Sequence, residues 1–253
     1  LHPPPRGKAW IDYAVWDDRI ERFRVPADQY RLLVSALKAD GVRFEDKVQA
    51  FEPLDLQGNL TLTPYAHQQE ALTAWKQGER RGVVVLPTAA GKTYLAQMVM
   101  AATPRRTLIT VPTLDLMHQW YADLEAAFPG VEVGLLGGGS RDRTPILVAT
   151  YDSASIYAED LGSQYALLIC DECHHLPSDF HRTIAEYSIS PYRLGLTATP
   201  ERTDGKHEDL DTLIGPVVYR RTAEELSGTA LAPYQVVQRS EERRVGKECR
   251  SRW

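Results

Sequence analysis

The stretch LPTAAGKT, residues 86–93, decides the fold of this chain. An apolar run at residues 83–85 precedes it, and a helical pattern with Leu95, Met98 and Val99 on one face follows it. A strand, a tight loop of small residues and a helix form the layout of a phosphate cradle, because backbone N–H groups at the helix start point at an anion. The alternative is an ordinary loop before a core helix.

Each residue type in this loop suits one part of a bound phosphate chain. Lys92 supplies a positive charge for the β- and γ-phosphates, and the Thr93 hydroxyl is placed to ligate Mg²⁺. The strict pattern has Gly at position 86, where this chain has Leu86. Ala89 and Ala90 also stand where Gly is commoner, and we expect both to avoid positive φ. The predicted phosphate-loop residues are Pro87, Thr88, Ala89, Ala90, Gly91, Lys92 and Thr93.

Composition limits the class of protein. With 253 residues, 43% of them hydrophobic and 25% charged, the chain has room for one large α/β domain and a small accessory piece. It shows neither an apolar run of transmembrane length nor a secretory signal, and its three cysteines do not make a disulfide framework, so we expect a cytoplasmic protein. The net charge of −5 argues against a globally basic nucleic-acid binder, but leaves open a grip on phosphates through N–H groups and hydroxyls.

Residues 1–58 are predicted to form a small N-terminal α+β module. Residues 10–25 have the alternation of a short hairpin, with Asp17 and Asp18 as its turn. Asp28 is predicted to cap a helix that runs to about Ala39 and stops at Gly41. This segment shows no catalytic constellation, which favours a packing or docking role.

The rest of the chain alternates apolar strands with amphipathic helices. Largely apolar runs occur at residues 107–111, 131–136, 146–150, 167–170 and 192–196. Strands without polar alternation are typical of a parallel sheet covered by helices on both faces, so the fold class is α/β. Polar residues gather just after these strands, at the carboxyl edge where open α/β folds bind their ligands.

Asp171 and Glu172 end one of these strands and supply the second half of a nucleotide site. Asp171 can hold Mg²⁺, often through water, and Glu172 can act as the general base that polarises an attacking water. We expect the Lys92 ammonium and both carboxylates to converge on one triphosphate at one rim of the sheet. The alternative is an ordinary acidic pair at a helix N-terminus. Cys170 and Cys173 frame the pair, but a zinc site would need two more ligands, which we do not find.

Five segments now stand in the order of superfamily-two helicase motifs. They are Gln68, the GKT of residues 91–93, Pro112-Thr113 with Gln119-Trp120, the DECH of residues 171–174 and the TAT of residues 197–199. The strings CHHLP (173–177) and LGLTATPER (194–202) resemble the XPB (Rad25)-type branch of the DNA helicases. The resemblance covers residues 60–238, and the hairpin and helix before it resemble the N-terminal module of bacterial members.

This resemblance implies an ATP-dependent DNA helicase or translocase. Residues 59–222 would be its first RecA-like P-loop lobe, with ATP, Mg²⁺ and DNA as ligands. Gln68 would read adenine, and Lys92, Asp171 and Glu172 would be the catalytic residues, with Thr93 and Asp171 at the metal. His174, Thr197, Ala198 and Thr199 would couple the nucleotide state to strand binding. The segments along the nucleic-acid backbone would include Pro112, Thr113, Gly138, Gly139, Thr150 and Tyr151. Helix capping is the alternative for Thr113 and Thr150.

The end of the chain carries two further expectations. Residues 223–238 resemble the start of a linker to a second lobe, which in such motors supplies an arginine finger, so we expect an N-terminal portion that hydrolyses ATP poorly alone. Residues 239–253 carry a net charge of +3, against −8 for the preceding 238 residues. They resemble a translated sequencing adapter, which indicates a non-native tail; the alternative is a basic nucleic-acid tail.

Two other functions stay open: the motor subunit of a restriction or nuclease system, and a non-catalytic nucleotide-gated DNA-binding module.

Overall fold

The computed structural model describes residues 12–47, 53–56, 60, 62–199 and 209–228. Some of the predictions concern segments outside these residues. They are the predictions for residues 1–11, for the end of the LGLTATPER string, for most of the linker and for the tail at residues 239–253.

The N-terminal module has the predicted hairpin and helix. Strands β1 (Val15–Asp17) and β2 (Arg22–Arg24) pair antiparallel, and α1 (Tyr30–Ala39) follows a 3₁₀ turn. Two details of the prediction were wrong. Asp17 is the last residue of β1, paired with Arg22, so the turn lies at residues 18–21. Asp28 does not cap the helix, because the 3₁₀ turn that starts after Pro26 leads the chain into it without a side-chain cap.

The larger domain alternates helices and strands as predicted. Its strands are β3 (Arg81–Val85), β4 (Thr107–Val111), β5 (Val133–Gly137), β6 (Ser140–Arg141), β7 (Ile146–Thr150), β8 (Leu167–Asp171), β9 (Tyr192–Thr197) and β10 (Val217–Arg220). Its helices are α2 (Ala66–Gln77), α3 (Lys92–Ala102), α4 (Leu114–Ala127), α5 (Tyr151–Ile156), α6 (Ala158–Leu161), α7 (Thr183–Glu186), α8 (Asp209–Leu213) and α9 (Ala223–Leu226).

These strands form one eight-stranded sheet in the order β10-β3-β9-β8-β4-β7-β5-β6. All neighbours are parallel except β5 and β6, which pair antiparallel. The predicted parallel sheet is confirmed, with this edge strand as an addition. Gly137, Gly138 and Gly139 all have positive φ, which lets the chain reverse there instead of starting a helix. The sequence reading also missed β10.

Side chains alternate between two buried clusters, one on each face of the sheet. Val84, Ile109 and Val148 belong to the cluster under α2, α3 and α4. Leu108 and Leu147, one position along the same strands, belong to the cluster that includes side chains of α5 to α8. Helices therefore cover both faces, as predicted.

A buried arginine joins the second layer of helices to the sheet. Arg193 on β9 is 1% exposed, and its guanidinium donates to the main-chain carbonyls of Ser188 (2.7 Å), Ala185 (2.9 Å) and Ser190 (3.3 Å) and to that of Leu213. Two of these carbonyls, those of Ala185 and Leu213, belong to the last turns of α7 and α8, so the arginine ties both helices to β9. The arginine lies at the end of β9 away from the predicted site and has a structural role.

A membrane-spanning helix is not among the elements of the described residues: none combines the needed length with the needed apolarity.

Candidate functional site

The sheet order brings the predicted nucleotide-binding segments together. Strands β3, β9 and β8 are neighbours, and their carboxyl ends lead into the phosphate loop, Thr197 and Asp171. Val85 is in register with Thr197, and Leu196 with Asp171. The Leu86 N–H donates to the Thr197 carbonyl at 3.0 Å, which fixes the start of the phosphate loop against β9.

The phosphate loop contains two left-handed residues. Gly91 stands at the N-cap of α3 with φ of 77°, and Ala89 has φ of 65°. The expectation that Ala89 avoids positive φ was therefore wrong. Because left-handed backbone costs an L-residue about 1 kcal/mol, the loop holds this alanine in a conformation that glycine would adopt more readily.

Helix α2 holds the phosphate loop from behind. Gln68 is 2% exposed; its Oε1 accepts from the Tyr65 N–H at 2.9 Å, and its Nε2 donates to the Gly91 carbonyl at 3.1 Å. A Cβ on Gly91 would displace the Gln68 amide, and φ of 77° strains any other residue, so both features favour glycine there. The His67 ring lies 2.9 Å from the Ala90 carbonyl, a contact that the sequence reading missed. The Gln68 amide thus orders the loop, and adenine reading stays a prediction.

Lys92 and Glu172 meet across the site. The Lys92 Nζ donates to the Glu172 Oε1 at 2.8 Å, although the two residues are 80 positions apart. Burial alone would raise the pKa of Glu172, but the Lys92 ammonium holds that pKa below its usual value. Glu172 is therefore ionised at neutral pH. The Lys92 ammonium and the Glu172 carboxylate thus meet at one rim of the sheet beside Asp171, and their convergence on a triphosphate stays a prediction.

Asp171 is buried beside this ion pair with both carboxylate oxygens in hydrogen bonds. It is 7% exposed; Oδ2 accepts from the Trp120 indole at 2.8 Å, and Oδ1 accepts from the Glu172 N–H at 3.0 Å. Burial raises the pKa of Asp171, against the opposing effects of the Trp120 hydrogen bond and the Lys92 charge. Each oxygen accepts one bond and has a second lone pair for a metal or its water.

A polar chain runs from Glu172 to the end of β9. The His174 Nδ1 lies 3.5 Å from the Glu172 Oε2 and 3.1 Å from the Thr197 Oγ1, which itself lies 3.4 Å from Glu172. The Thr197 Oγ1 also accepts from the Thr199 N–H at 3.2 Å. Glu172 itself has a left-handed backbone, with φ of 46°. The structure therefore brings together the predicted coupling residues His174, Thr197 and Thr199, with Ala198 between the two threonines.

The predicted nucleic-acid segments lie on the other half of the same edge. Strands β4, β7 and β5 are neighbours, and they lead into Thr113, Thr150 and Gly138. A Cβ on Gly138 would lie 3.1 Å from the Leu114 side chain, so the glycine turn adjoins the start of α4. Gly138 and Gly139 are exposed.

The capping alternative is observed at both threonines. The Thr113 Oγ1 accepts from the Leu116 N–H at 3.3 Å and caps α4, and the Thr150 Oγ1 accepts from the Ser153 N–H at 3.2 Å and caps α5. Tyr151 is 2% exposed, and its hydroxyl donates to the Asp171 carbonyl at 2.9 Å. Its side chain is therefore closed to a nucleic acid, and a contact at this position would use the main chain.

Cys170 and Cys173 are buried free thiols. Burial raises the pKa of Cys170 to about 11 and raises that of Cys173 as well. Within the described part of the chain, no group of three or more His, Cys, Asp and Glu side chains is arranged to hold a metal ion. A Mg²⁺ ion that keeps most of its waters does not need such a group.

Comparison with known proteins agrees with this geometry. Residues 61–202 match the family model described as "Type III restriction enzyme, res subunit", which is more than half of the chain. Residues 1–48 match "Xeroderma pigmentosum group B helicase damage recognition domain". The chain belongs to the XPB-like branch of the superfamily-two helicases.

The relatives of this XPB-like chain align with most of it but with only part of their own length. The "DNA 3'-5' translocase XPB2" of Sulfurisphaera tokodaii is 42% identical over 222 residues, which is 87% of this chain and 50% of that protein. The "DNA 3'-5' helicase XPB" of Mycobacterium tuberculosis is 34% identical over 175 residues, 65% of this chain and 31% of that protein. The chain thus spans about half or less of the length of these relatives.

The fold has a counterpart among solved structures. The UvsW helicase from bacteriophage T4 aligns with a TM-score of 0.53 at 19% identity and covers 81% of each chain. At this identity the likeness shows the fold alone, and it confirms a RecA-like arrangement for the XPB-like chain.

Proposed function

We propose that this chain is the ATP-binding lobe of an ATP-dependent DNA helicase or translocase. The observation that carries the proposal is the 2.8 Å contact between Lys92 and Glu172, beside Asp171, at the carboxyl ends of neighbouring strands. An ammonium, an ionised carboxylate and a buried carboxylate at the mouth of a phosphate loop suit a magnesium–nucleoside triphosphate. The names of the relatives support DNA as the second ligand.

The loop supports ATP and Mg²⁺ as the bound group. Gly91 leaves the space that the Gln68 amide fills, and the left-handed residues Ala89 and Gly91 turn the chain tightly before α3. Lys92 and Thr93 would hold the phosphates and the metal, and Asp171 would hold the metal through water. When bound, Mg-ATP supplies the phosphoanhydride bond whose hydrolysis drives the motor.

Glu172 is suited to the role of general base. Its lowered pKa keeps it ionised at neutral pH, and its partner Lys92 is the residue expected to turn to the phosphates. Loss of the Lys92 contact frees one carboxylate oxygen for a water. The other oxygen stays beside His174 and Thr197, which would sense the change and pass it to Thr199.

We further propose that the β4-β7-β5 half of the edge lies along a nucleic-acid backbone. Exposed glycine N–H groups at Gly138 and Gly139 and the helix starts after Thr113 and Thr150 suit phosphate contacts that do not read bases. The net charge of −5 is consistent with such a local grip. The cysteine usage supports a cytoplasmic location as part of this proposal.

Nucleotide binding is the direct test. We expect the fluorescent nucleotide mant-ADP to bind this chain with Mg²⁺, and Lys92→Ala to weaken binding at least about tenfold through loss of a charge-assisted contact. Lys76→Ala, at an exposed position of α2, is the matched control and should bind normally. Equal affinity in the Lys92→Ala and Lys76→Ala variants would refute the site.

A second variant separates a motor from a nucleotide-gated scaffold. In the complete protein, Glu172→Gln should keep ATP binding and lose DNA-stimulated hydrolysis, because the amide cannot take a proton from water. Unchanged hydrolysis in Glu172→Gln would exclude this residue as the base. A wild-type protein that binds ATP without hydrolysing it in the presence of DNA would favour the scaffold.

A further inference from the structure

Two helices that start at the predicted nucleic-acid segments each send one aromatic side chain to the same residue, Asp171. Helix α4 begins after Thr113 and carries Trp120; α5 begins after Thr150 with Tyr151. Trp120 bonds the Asp171 carboxylate and Tyr151 bonds its main-chain carbonyl. The residue predicted to hold the metal is thus fixed from the DNA half of the sheet edge.

The Trp120 contact fixes the orientation of the carboxylate. The indole Nε1–H is a donor without acceptor capacity, so at 2.8 Å it requires an acceptor oxygen and assigns Oδ2 to that role. The Glu172 N–H holds Oδ1 from the other side. With Trp120 2% and Asp171 7% exposed, water cannot easily replace the indole, and its loss leaves a buried carboxylate oxygen short of a donor.

The Tyr151 contact fixes the backbone at the end of β8. Its hydroxyl donates to the Asp171 carbonyl at 2.9 Å, immediately before the left-handed residue Glu172. Tyr151 thus supplies a buried donor to the carbonyl at the last position of β8. Because Tyr151 is the first residue of α5, movement of the helix start moves the hydroxyl.

We propose that Trp120 and Tyr151 are positioning residues that orient Asp171 toward Mg²⁺ and connect its orientation to the chain segments at Thr113 and Thr150. The proposal rests on the nucleotide-binding function proposed above. The contacts of His174 and Thr197 described above are with Glu172, whereas those of Trp120 and Tyr151 are with Asp171.

The chain supplies a matched control for the tryptophan. Trp75 on α2 is fully buried like Trp120, and its indole also donates one hydrogen bond, at 2.9 Å. Its acceptor is the main-chain carbonyl of Arg193, at the other end of the sheet. Replacement of either tryptophan by Phe removes similar volume and one buried hydrogen bond, so a purely structural effect should be alike in both variants.

The test measures how much Mg²⁺ is needed to tighten mant-ADP binding, with the mant group excited directly so that lost tryptophans do not change the signal. We expect Trp120→Phe to raise the Mg²⁺ concentration at the midpoint about tenfold, the usual effect of losing a group that orients a metal ligand. Tyr151→Phe should raise it in the same direction. Binding of mant-ADP without Mg²⁺ should stay unchanged in both, and Trp75→Phe should keep the wild-type midpoint.

Several outcomes would overturn the proposal. A wild-type midpoint in folded Trp120→Phe would do so, and so would an equal shift in Trp75→Phe. Should Trp120→Phe fail to fold by circular dichroism, a wild-type midpoint in Tyr151→Phe is the refuting result. Absence of mant-ADP binding in the wild-type chain would instead refute the nucleotide site itself, so the two failures are distinguishable.

The connection to the nucleic-acid segments has its own measurement. Because coupling is reciprocal, a duplex oligonucleotide should lower the Mg²⁺ midpoint in the wild-type chain and lower it less in Trp120→Phe. An oligonucleotide that leaves the wild-type midpoint unchanged, or changes both proteins equally, would refute the connection.

Discussion

Ala89 shows how much a single backbone angle matters in the phosphate loop. Its φ of 65° places it in the region that glycine occupies freely, whereas its neighbour Ala90 is buried at 1% exposure and lies outside that region. The two alanines are chemically identical but differ in backbone conformation, so their substitutions by glycine have opposite expected effects.

We expect Ala89→Gly to raise the free energy of unfolding by about 1 kcal/mol, because it relieves the left-handed alanine. Ala90→Gly should lower it by about 1 kcal/mol, since it removes a buried methyl and adds freedom to the unfolded chain. Urea denaturation followed by circular dichroism measures both. A loss of stability in Ala89→Gly similar to that in Ala90→Gly would contradict the strained conformation.

The buried thiols give a prediction of pH dependence. Since the pKa of Cys170 is about 11 in the folded protein and that of Cys173 is also raised, neither forms the reactive thiolate at pH 8. We expect a thiol reagent to label them only after unfolding, with Cys249→Ser used throughout so that the third cysteine does not contribute. Rapid labelling of the native protein would contradict their burial.

The same thiols should make the fold less stable in alkali. Each folded pKa lies above its unfolded value, so as the pH rises through the ordinary thiol range the unfolded chain loses protons first and is favoured. Stability should therefore fall above about pH 9, and Cys170→Ser should reduce that fall. A fall in Cys170→Ser at least as steep as in the wild-type chain would show that another group is responsible.

At the scale of an element, α4 has one residue with two candidate roles. The Thr113 hydroxyl caps the helix, and the same position is predicted to face a nucleic-acid backbone. Asp and Asn cap helices as well as Thr does, but Asp adds a negative charge that phosphates repel. The two replacements therefore separate the roles.

We expect Thr113→Ala to lower the free energy of unfolding by about 1 kcal/mol through loss of the cap. Thr113→Asp and Thr113→Asn should both retain stability, and only Thr113→Asp should weaken binding of an oligonucleotide measured by fluorescence anisotropy. Equal DNA affinity in the Asp and Asn variants would limit Thr113 to its capping role.

At the scale of the whole molecule, side-chain burial changes sharply at the boundary of the N-terminal module. None of the side chains of α1 is buried, and Arg31 on this helix forms a surface ion pair with Glu79. By contrast, Leu56 is buried in the larger domain, and the Leu54 N–H donates to the Pro104 carbonyl at 3.1 Å. We propose that the larger domain begins at about residue 53, a few residues before the sequence-based boundary at 59.

Two shortened chains test this boundary. A chain that starts at residue 53 should unfold within about 1 kcal/mol of the whole chain, because surface ion pairs contribute little. A chain that starts at residue 59 should lose at least about 2 kcal/mol more, since it lacks the buried Leu56 and the partly buried Leu54. Equal stability of the two shortened chains would contradict the boundary.

Much of the site could be predicted because its signals are local. The phosphate loop, the acidic pair and the five motifs lie within short stretches that follow apolar strands. Once the sheet is parallel, its strand ends share one edge, so Lys92 and Glu172 lie at the same rim; the strand order β3-β9-β8 then brings them to 2.8 Å. The α/β class and most strand positions follow from hydrophobic periodicity, which each segment carries by itself.

Only the tertiary structure decided which distant residues contact each other around these segments. The sequence places Trp120 on an apolar helix face and in the Gln119-Trp120 segment but does not name its partner, and its indole holds a carboxylate 51 positions away. Gln68 holds the loop that starts α3, and β10 lies beside β3. Such contacts depend on the order of strands in the sheet and on the angle at which each helix packs. These are set by the burial of the whole core, whereas a sequence pattern records only whether a residue is buried, not which residue it meets.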